Sequence, residues 1–125
     1  MTTKDIGDIG EEIACQYLKK DKYKIVARNS HFSHNEIDIV AEDKDYIVFV
    51  EVKTRSVSPE YQFPLYSPAS AVTKSKQARL IEAASAYMRQ NKTQKQPRMD
   101  VVEVLLDKKT KEVIRINHIR NAYGR

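Results

Sequence analysis

The sequence predicts an α/β fold with a mixed sheet, and three features carry that prediction. An amphipathic helical stretch opens the chain, three strand-like segments follow, and a second helical stretch separates them from two further strands. The predicted order is α-β-β-β-α-β-β. From Ile6 to Lys20, apolar Ile6, Ile9, Ile13, Ala14, Tyr17 and Leu18 recur at three- and four-residue spacing. Asp5 or Asp8 is the expected cap, with acid in the first turn where the helix dipole favours it. On a wheel, Glu11 borders the apolar stripe beside Leu18, Glu12 points to solvent, and Cys15 falls near the exposed back.

Tyr23 to Asn29 reads as the first strand, followed by a polar loop through His34. Glu36 to Ala41 alternates, with Ile37, Ile39 and Ala41 on one face and Glu36, Asp38 and Val40 on the other. Across the turn Glu42 to Asp45, the β-branched and aromatic run Tyr46 to Thr54 completes a hairpin. Ser56 to Ser70, with three prolines at Pro59, Pro64 and Pro68, reads as an irregular loop. The second helix is expected from about Ala71 to Asn91, burying Val72, Leu80, Ala83, Ala84 and Tyr87. Met99 to Leu106 and Glu112 to Ile119 are the last two strands, around the turn Asp107 to Lys111.

A chain of 125 residues predicts one domain over 1–125, large enough to bury a core unaided. The only cysteine, Cys15, excludes an internal disulfide and a cysteine-based zinc site. Three glycines exclude a P-loop, a dinucleotide fingerprint and a Gly-x-Ser-x-Gly elbow. No apolar run has the length of a membrane span, and the polar, acidic start has no signal-peptide pattern; the expected location is the cytoplasm, with no membrane partner. The net charge of +5 is uneven. Between Lys74 and Arg98 lie seven basic residues, Lys74, Lys76 and Arg79 among them, against Glu82 alone. That balance suits a polyanion such as nucleic acid, although a solvated helix face carries the same charges.

The residues that do not suit a core lie on the third strand. Ile47, Phe49, Glu51 and Lys53 share one face, and Val48, Val50 and Val52 the other. So apolar a strand should be central, where lone charges are costly, so Glu51 and Lys53 must pair or line a cleft. Asp38 stands in the same way among Ile37, Ile39 and Val40. Two carboxylates about 4 Å apart repel by about 4 kcal/mol at an effective dielectric near 20, which a proton or a divalent cation relieves. Two carboxylates and a lysine are what metal-assisted phosphodiester hydrolysis needs. A structural Glu51–Lys53 ion pair at a sheet edge is the competing reading, and spacing does not separate the two.

The string Val50-Glu-Val-Lys-Thr-Arg55, preceded by Asn35-Glu-Ile-Asp38, resembles the PD-(D/E)XK signature of restriction-endonuclease-like nucleases. The whole chain resembles the YraN-like family within that superfamily. The likeness runs from Gly7-x-x-Gly10-Glu11 through Asn29, Ala71-Val-Thr with Lys76, and Arg98-Met-Asp-Val-Val102 to Asn117-His-Ile119. It implies a restriction-endonuclease-like mixed central sheet flanked by helices, its first three strands an antiparallel meander. It also implies Asp38 and Glu51 as metal ligands, Lys53 as the catalytic lysine and Glu11 as an accessory acid. Arg55 and Lys76 match positions that would meet phosphates. Asn35 stands where the family has glycine, and the family's Phe-Gly after the lysine strand has no counterpart in Gln62 to Tyr66. Asparagine tolerates the positive φ such a turn needs.

The expectation is thus a Mg²⁺- or Mn²⁺-dependent endonuclease acting on DNA, including branched or repair intermediates. Asp38, Glu51 and the Val52 carbonyl hold the metal, Glu11 assists, and Arg55, Lys74, Lys76 and Arg79 contact nucleic acid. One such site cuts one strand, so double-strand cutting calls for a homodimer. The alternatives are a non-catalytic nucleic-acid-binding module or an adaptor of a repair complex. His31-x-x-His34 lacks a third zinc ligand, His118 reads as a satisfied strand histidine, and Arg98 with Asp100 as a structural pair. Tyr61 and Tyr66 could stack on bases or pack the loop.

Overall fold

Helix α1 spans Thr3–Lys20, and its start is closed by a reciprocal cap. The Thr2 hydroxyl accepts from the Asp5 N–H at 3.1 Å, and the Asp5 carboxylate accepts from the Thr2 N–H at 2.9 Å. The cap is therefore Thr2 and not Asp5 or Asp8, because a hydroxyl three residues before an acid satisfies two backbone donors at once. The computed structural model describes residues 2–32, 34–58, 60 and 72–124. The sequence reading of Tyr61, Gln62 to Tyr66 and Ala71 lies outside them.

Five strands form one sheet in the order β1-β2-β3-β4-β5: β1 Lys24–Phe32, β2 Asn35–Glu42, β3 Tyr46–Val57, β4 Gln96–Asp107 and β5 Val113–Tyr123. Strands β1, β2 and β3 are the antiparallel meander, β3 and β4 run parallel, and β5 returns antiparallel to β4. The parallel pair requires a crossover, and helix α2, Lys74–Gln90, lies within it. Its N-cap is Thr73, whose hydroxyl accepts from the Lys76 N–H at 3.1 Å. The mixed α/β architecture and its element order are those the sequence predicts.

The helices cover opposite faces of the sheet. Ala14 and Leu18 of α1 pack with Ile39, Ala41, Val48, Val50, Val102 and Val104. Leu80, Ala83, Ala84 and Tyr87 of α2 pack with Val40, Ile47, Phe49, Met99 and Val101. Strict alternation fails at one point. Ile37 was expected beside Ile39 and Ala41 but packs with Val40 on the α2 side, so β2 changes its facing across Asp38.

Three other departures have local causes. Cys15 is buried and not exposed, because the flank of α1 that a wheel leaves open is covered by β1, whose Arg28 reaches Glu12 at 3.0 Å. Burial pushes its thiol up, away from nucleophilic use. Strand β1 continues to Phe32 where a polar loop was expected, because Ser30, His31 and Phe32 pair with Ile37, Glu36 and Asn35. The left-handed residue at the turn into β2 is His34, at φ 69°, and not Asn35.

Candidate functional site

The site begins where β2 and β3 part. Their register runs Glu42↔Ile47, Ala41↔Val48, Val40↔Phe49 and Ile39↔Val50, and then stops. The next step would set Asp38 against Glu51. There the Asp38 carboxylate takes over from the backbone, its Oδ2 accepting from the Val52 N–H at 2.9 Å. A strand residue turns its N–H and C=O to the same side, so the Val52 carbonyl faces the same gap. Glu51 lies on the α2-side face in line with Ile47 and Phe49 and is only 5% exposed. Because β3 is the central strand, the reading of Glu51 and Lys53 as an ion pair at a sheet edge does not hold.

Two lysines meet Glu51 from two elements. Lys53 Nζ lies 3.9 Å and Lys76 Nζ 3.5 Å from Glu51 Oε2. Lys76 enters from the first turn of α2, where the Thr73 cap fixes the helix start. Burial pushes the Glu51 carboxyl up to about 7, and the charge of Asp38 and a hydrogen bond with its carboxyl add to this. Lys76 and Lys53 act in the opposite direction and are outweighed.

Glu11 approaches from the other side of the gap. Gly10 makes room for it: a Cβ there would fall 1.8 Å from Thr54 Oγ1, so α1 crosses β3 at a distance only glycine allows. The Glu11 carboxyl is also raised, first by burial and then by Asp38, against a hydrogen bond from Asn29. Asn29 adopts φ 49° between Arg28 and Ser30, the partners of Ile39 and Ile37, and so stands across from Asp38. Asparagine tolerates this conformation as few residues do.

Asp38, Glu51 and the Val52 carbonyl could hold a divalent cation. Among the described residues no group of three or more His, Cys, Asp or Glu is gathered around one point. The donor set nevertheless fits Mg²⁺, which binds through one or two carboxylates and keeps water and phosphate oxygens for the rest. Two carboxyls that compete for a proton also suit a cation, because its charge removes their repulsion.

The remaining predicted residues divide. Lys76 belongs to the carboxylate pair, whereas Lys74 and Arg79 stay on the exposed side of α2, Arg79 donating to Ser75 Oγ at 3.3 Å. Arg55 shares the face of Lys53, with its Nε 3.4 Å from Glu103 Oε2. Glu103, 3% exposed, escaped the sequence reading although it interrupts Val101 to Leu106 much as Glu51 interrupts β3. Tyr123 escaped it too; its ring packs on the α2 side and its buried hydroxyl has no hydrogen-bond partner among the described residues. Burial, followed by Glu51, Asp100 and Asp38, raises that hydroxyl's pKa. His31 pairs with Glu36 at 3.3 Å, and His118 is held by Asp100 and Tyr17 at 2.7 and 2.9 Å. Among the described residues no helix is long and apolar enough to cross a membrane.

Comparison with known proteins places this geometry in a family. A UPF0102 protein of Caldanaerobacter subterraneus subsp. tengcongensis is 42% identical over 121 residues, covering 96% of this chain and 95% of that one. A UPF0102 protein of Clostridioides difficile is 40% identical, covering 98% of this chain and 100% of its own. A solved fdxN element excision controlling factor from Anabaena variabilis aligns with TM-score 0.45 and 16% identity, over 87% of this chain and 98% of that one. The profile of the uncharacterised protein family UPF0102 matches residues 10–104. The chain therefore belongs to UPF0102, the family that the YraN-like resemblance of its motifs indicated.

Proposed function

We propose that this protein is a Mg²⁺- or Mn²⁺-dependent endonuclease that hydrolyses phosphodiester bonds in DNA. The observation that carries the reading is the pair of half-buried Asp38 and buried Glu51 at the end of the β2/β3 ladder, with two lysines on Glu51 and none on Asp38 among the described ion pairs. A bound cation there supplies Lewis acidity at the phosphate and an acidified water. The chain supplies the rest. Asp38, fixed by the Val52 N–H, shares a hydrogen bond with the Glu51 carboxyl and so stands beside it to complete the donor set. Lys53, on the same face two residues from Glu51, orients the water or neutralises the charge that grows on the phosphate. Glu11 adds a carboxylate from α1. The basic residues of α2 would bind the strand, and cutting both strands would require two copies of the chain.

The test is a calorimetric titration of Mn²⁺ into the wild type and Glu51→Gln. Wild-type binding that is lost in the variant supports the carboxylate site; equal, negligible binding in both, with and without DNA, favours a non-catalytic nucleic-acid-binding module. Lys53→Ala should retain DNA binding and lose cleavage by about 10²- to 10³-fold, the usual effect of removing one group that stabilises transition-state charge. Equal loss of binding and cleavage would remove Lys53 from the chemistry.

A further inference from the structure

We propose that Glu103 is a positioning residue that fixes Arg55 and Arg115 as a second phosphate-binding station beside the carboxylate site. The inference deepens the reading above and rests on its nucleic-acid part. Glu103 lies next to Lys53 across the parallel β3/β4 ladder and opposite Asn117 across β4/β5, on the α2-side face. It is 3% exposed, and an ionised carboxylate so buried is costly unless it is paired. Its partners come from both neighbouring strands. Arg55 Nε lies 3.4 Å from Oε2, and Asn117 Nδ2 donates to Oε1 at 3.1 Å. Asn117 Oδ1 in turn accepts from Arg115 Nε at 2.9 Å. One buried acid thus anchors, directly or through one amide, two arginines on two strands.

The arginines themselves reach outward. The Arg55 side chain is 47% exposed, and Arg115 is exposed on β5. Along β3, residues two apart repeat at about 6.6–6.8 Å, so Glu51, Lys53 and Arg55 form an evenly stepped row on one face. A phosphodiester backbone with one phosphate at Glu51 and Lys53 has its neighbouring phosphate within reach of Arg55, with Arg115 beyond it on β5. The ligand of this station is the phosphate adjacent to the scissile one, a contact without base preference. A guanidinium suits it because its planar fork matches the oxygens of a phosphate.

Charge alone and positioning predict opposite signs. Glu103→Gln removes a negative charge from a polyanion site, so simple electrostatics would tighten DNA binding. If Glu103 acts by holding Arg55, the substitution weakens binding. The test is fluorescence anisotropy of a labelled DNA duplex in EDTA, where no cleavage competes, from about 50 to 200 mM salt.

Glu103→Gln should weaken binding by about three- to tenfold, and Arg55→Ala should lower the salt slope by about 0.9, the value of one lost phosphate contact. Adding Glu103→Gln to Arg55→Ala should cost less than Glu103→Gln costs in the wild type, because the acid acts through the arginines and only the Arg115 arm is left to lose. Tighter binding by Glu103→Gln, or losses that simply add, overturns the proposal. Should Glu103→Gln fail to fold, Asn117→Ala decides: it loosens Glu103 and Arg115 without changing the charge, so weaker binding supports the positioning role and unchanged binding overturns it. An Arg55-dependent slope without Glu51-dependent Mn²⁺ binding would sink the nuclease reading and leave this station standing. A wild type that does not bind the duplex at all overturns both.

Discussion

Burial and the neighbouring Asp38 carboxylate outweigh two lysines at Glu51 and make it a stability liability at neutral pH. Its folded pKa of about 7 lies above the ordinary 4.5, so the folded state holds the proton more tightly than the unfolded chain. That stabilisation is complete below about pH 4.5 and is lost as pH rises through 7, amounting to about 3 kcal/mol. Glu51→Gln cannot ionise and should melt several degrees above the wild type at about pH 8, the gap closing toward pH 4.5. Millimolar Mn²⁺ should raise the wild-type Tm at the higher pH and leave the variant unmoved, as read by thermal denaturation. A Glu51→Gln melting temperature at or below the wild type at both pH values would mean that the lysines outweigh burial and Asp38 at this carboxyl. The site was legible at this scale because Asp38, Glu51 and Lys53 are charges inside apolar strands. Glu103 emits the same signal on β4 and was overlooked because no motif pointed to it. Asn117 emits none: an amide in a half-buried strand has no periodicity to violate.

Among the elements, the two that matter most are joined at their weakest point. Strands β2 and β3 pair through Ile39↔Val50, and beyond it Asp38 turns its side chain to the Val52 N–H. Sequence patterning found both strands but placed Ile37 on the wrong face, because alternation assumes a ladder that continues. The same limit shows at the element ends. Propensity put the α2 start near Ala71, while the Thr73 hydroxyl sets it at Lys74, and β1 outlasts its polar composition because a partner strand is present. Helix α1 reaches the gap only through Gly10. Gly10→Ala places a methyl 1.8 Å from Thr54 Oγ1 and 2.7 Å from Thr54 Cβ, so helix or strand must shift. The expected loss is about 1–3 kcal/mol in urea unfolding, the usual result of overpacking. Thr54→Ala in the same chain should restore part of the stability and not all, since the Cβ contact stays. A Gly10→Ala variant of unchanged stability would show that α1 does not need so close an approach, and would release Glu11 from its assigned place.

Across the whole molecule the two faces of the sheet are built for different ends. On the α2 side, the buried carboxylates Glu51 and Glu103 are met by Lys53, Lys76 and Arg55, which reach solvent beyond the apolar core. On the α1 side the polar groups are sealed and tied together. Asp100, fully buried, accepts from Arg98 at 2.9 and 2.8 Å, from the Asn121 N–H at 2.9 Å, and meets His118 Nε2 at 2.7 Å. Arg98 also donates to the Tyr23 hydroxyl at 2.6 Å, and His118 Nδ1 meets the Tyr17 hydroxyl at 2.9 Å. These bonds connect α1, the start of β1, β4 and the end of β5, elements far apart in sequence. Burial works against ionising Asp100, but the bonds from His118, Arg98 and Asn121 outweigh it and hold its pKa below the ordinary value. Its stabilisation is therefore present above about pH 4 and lost as acid protonates the folded carboxyl. Asp100→Asn keeps the shape, removes the charge facing Arg98 and sets an amide N–H₂ against other donors. It should cost about 3–5 kcal/mol in urea unfolding near neutral pH, as when one partner of a buried pair is removed, and the deficit should shrink in acid. At temperatures where the variant stays folded, its Mn²⁺ affinity should match the wild type, because Asp100 and Glu51 lie on opposite faces. A loss of metal affinity without a loss of stability would mean that the two faces are coupled through β4, and the division between them would have to be abandoned.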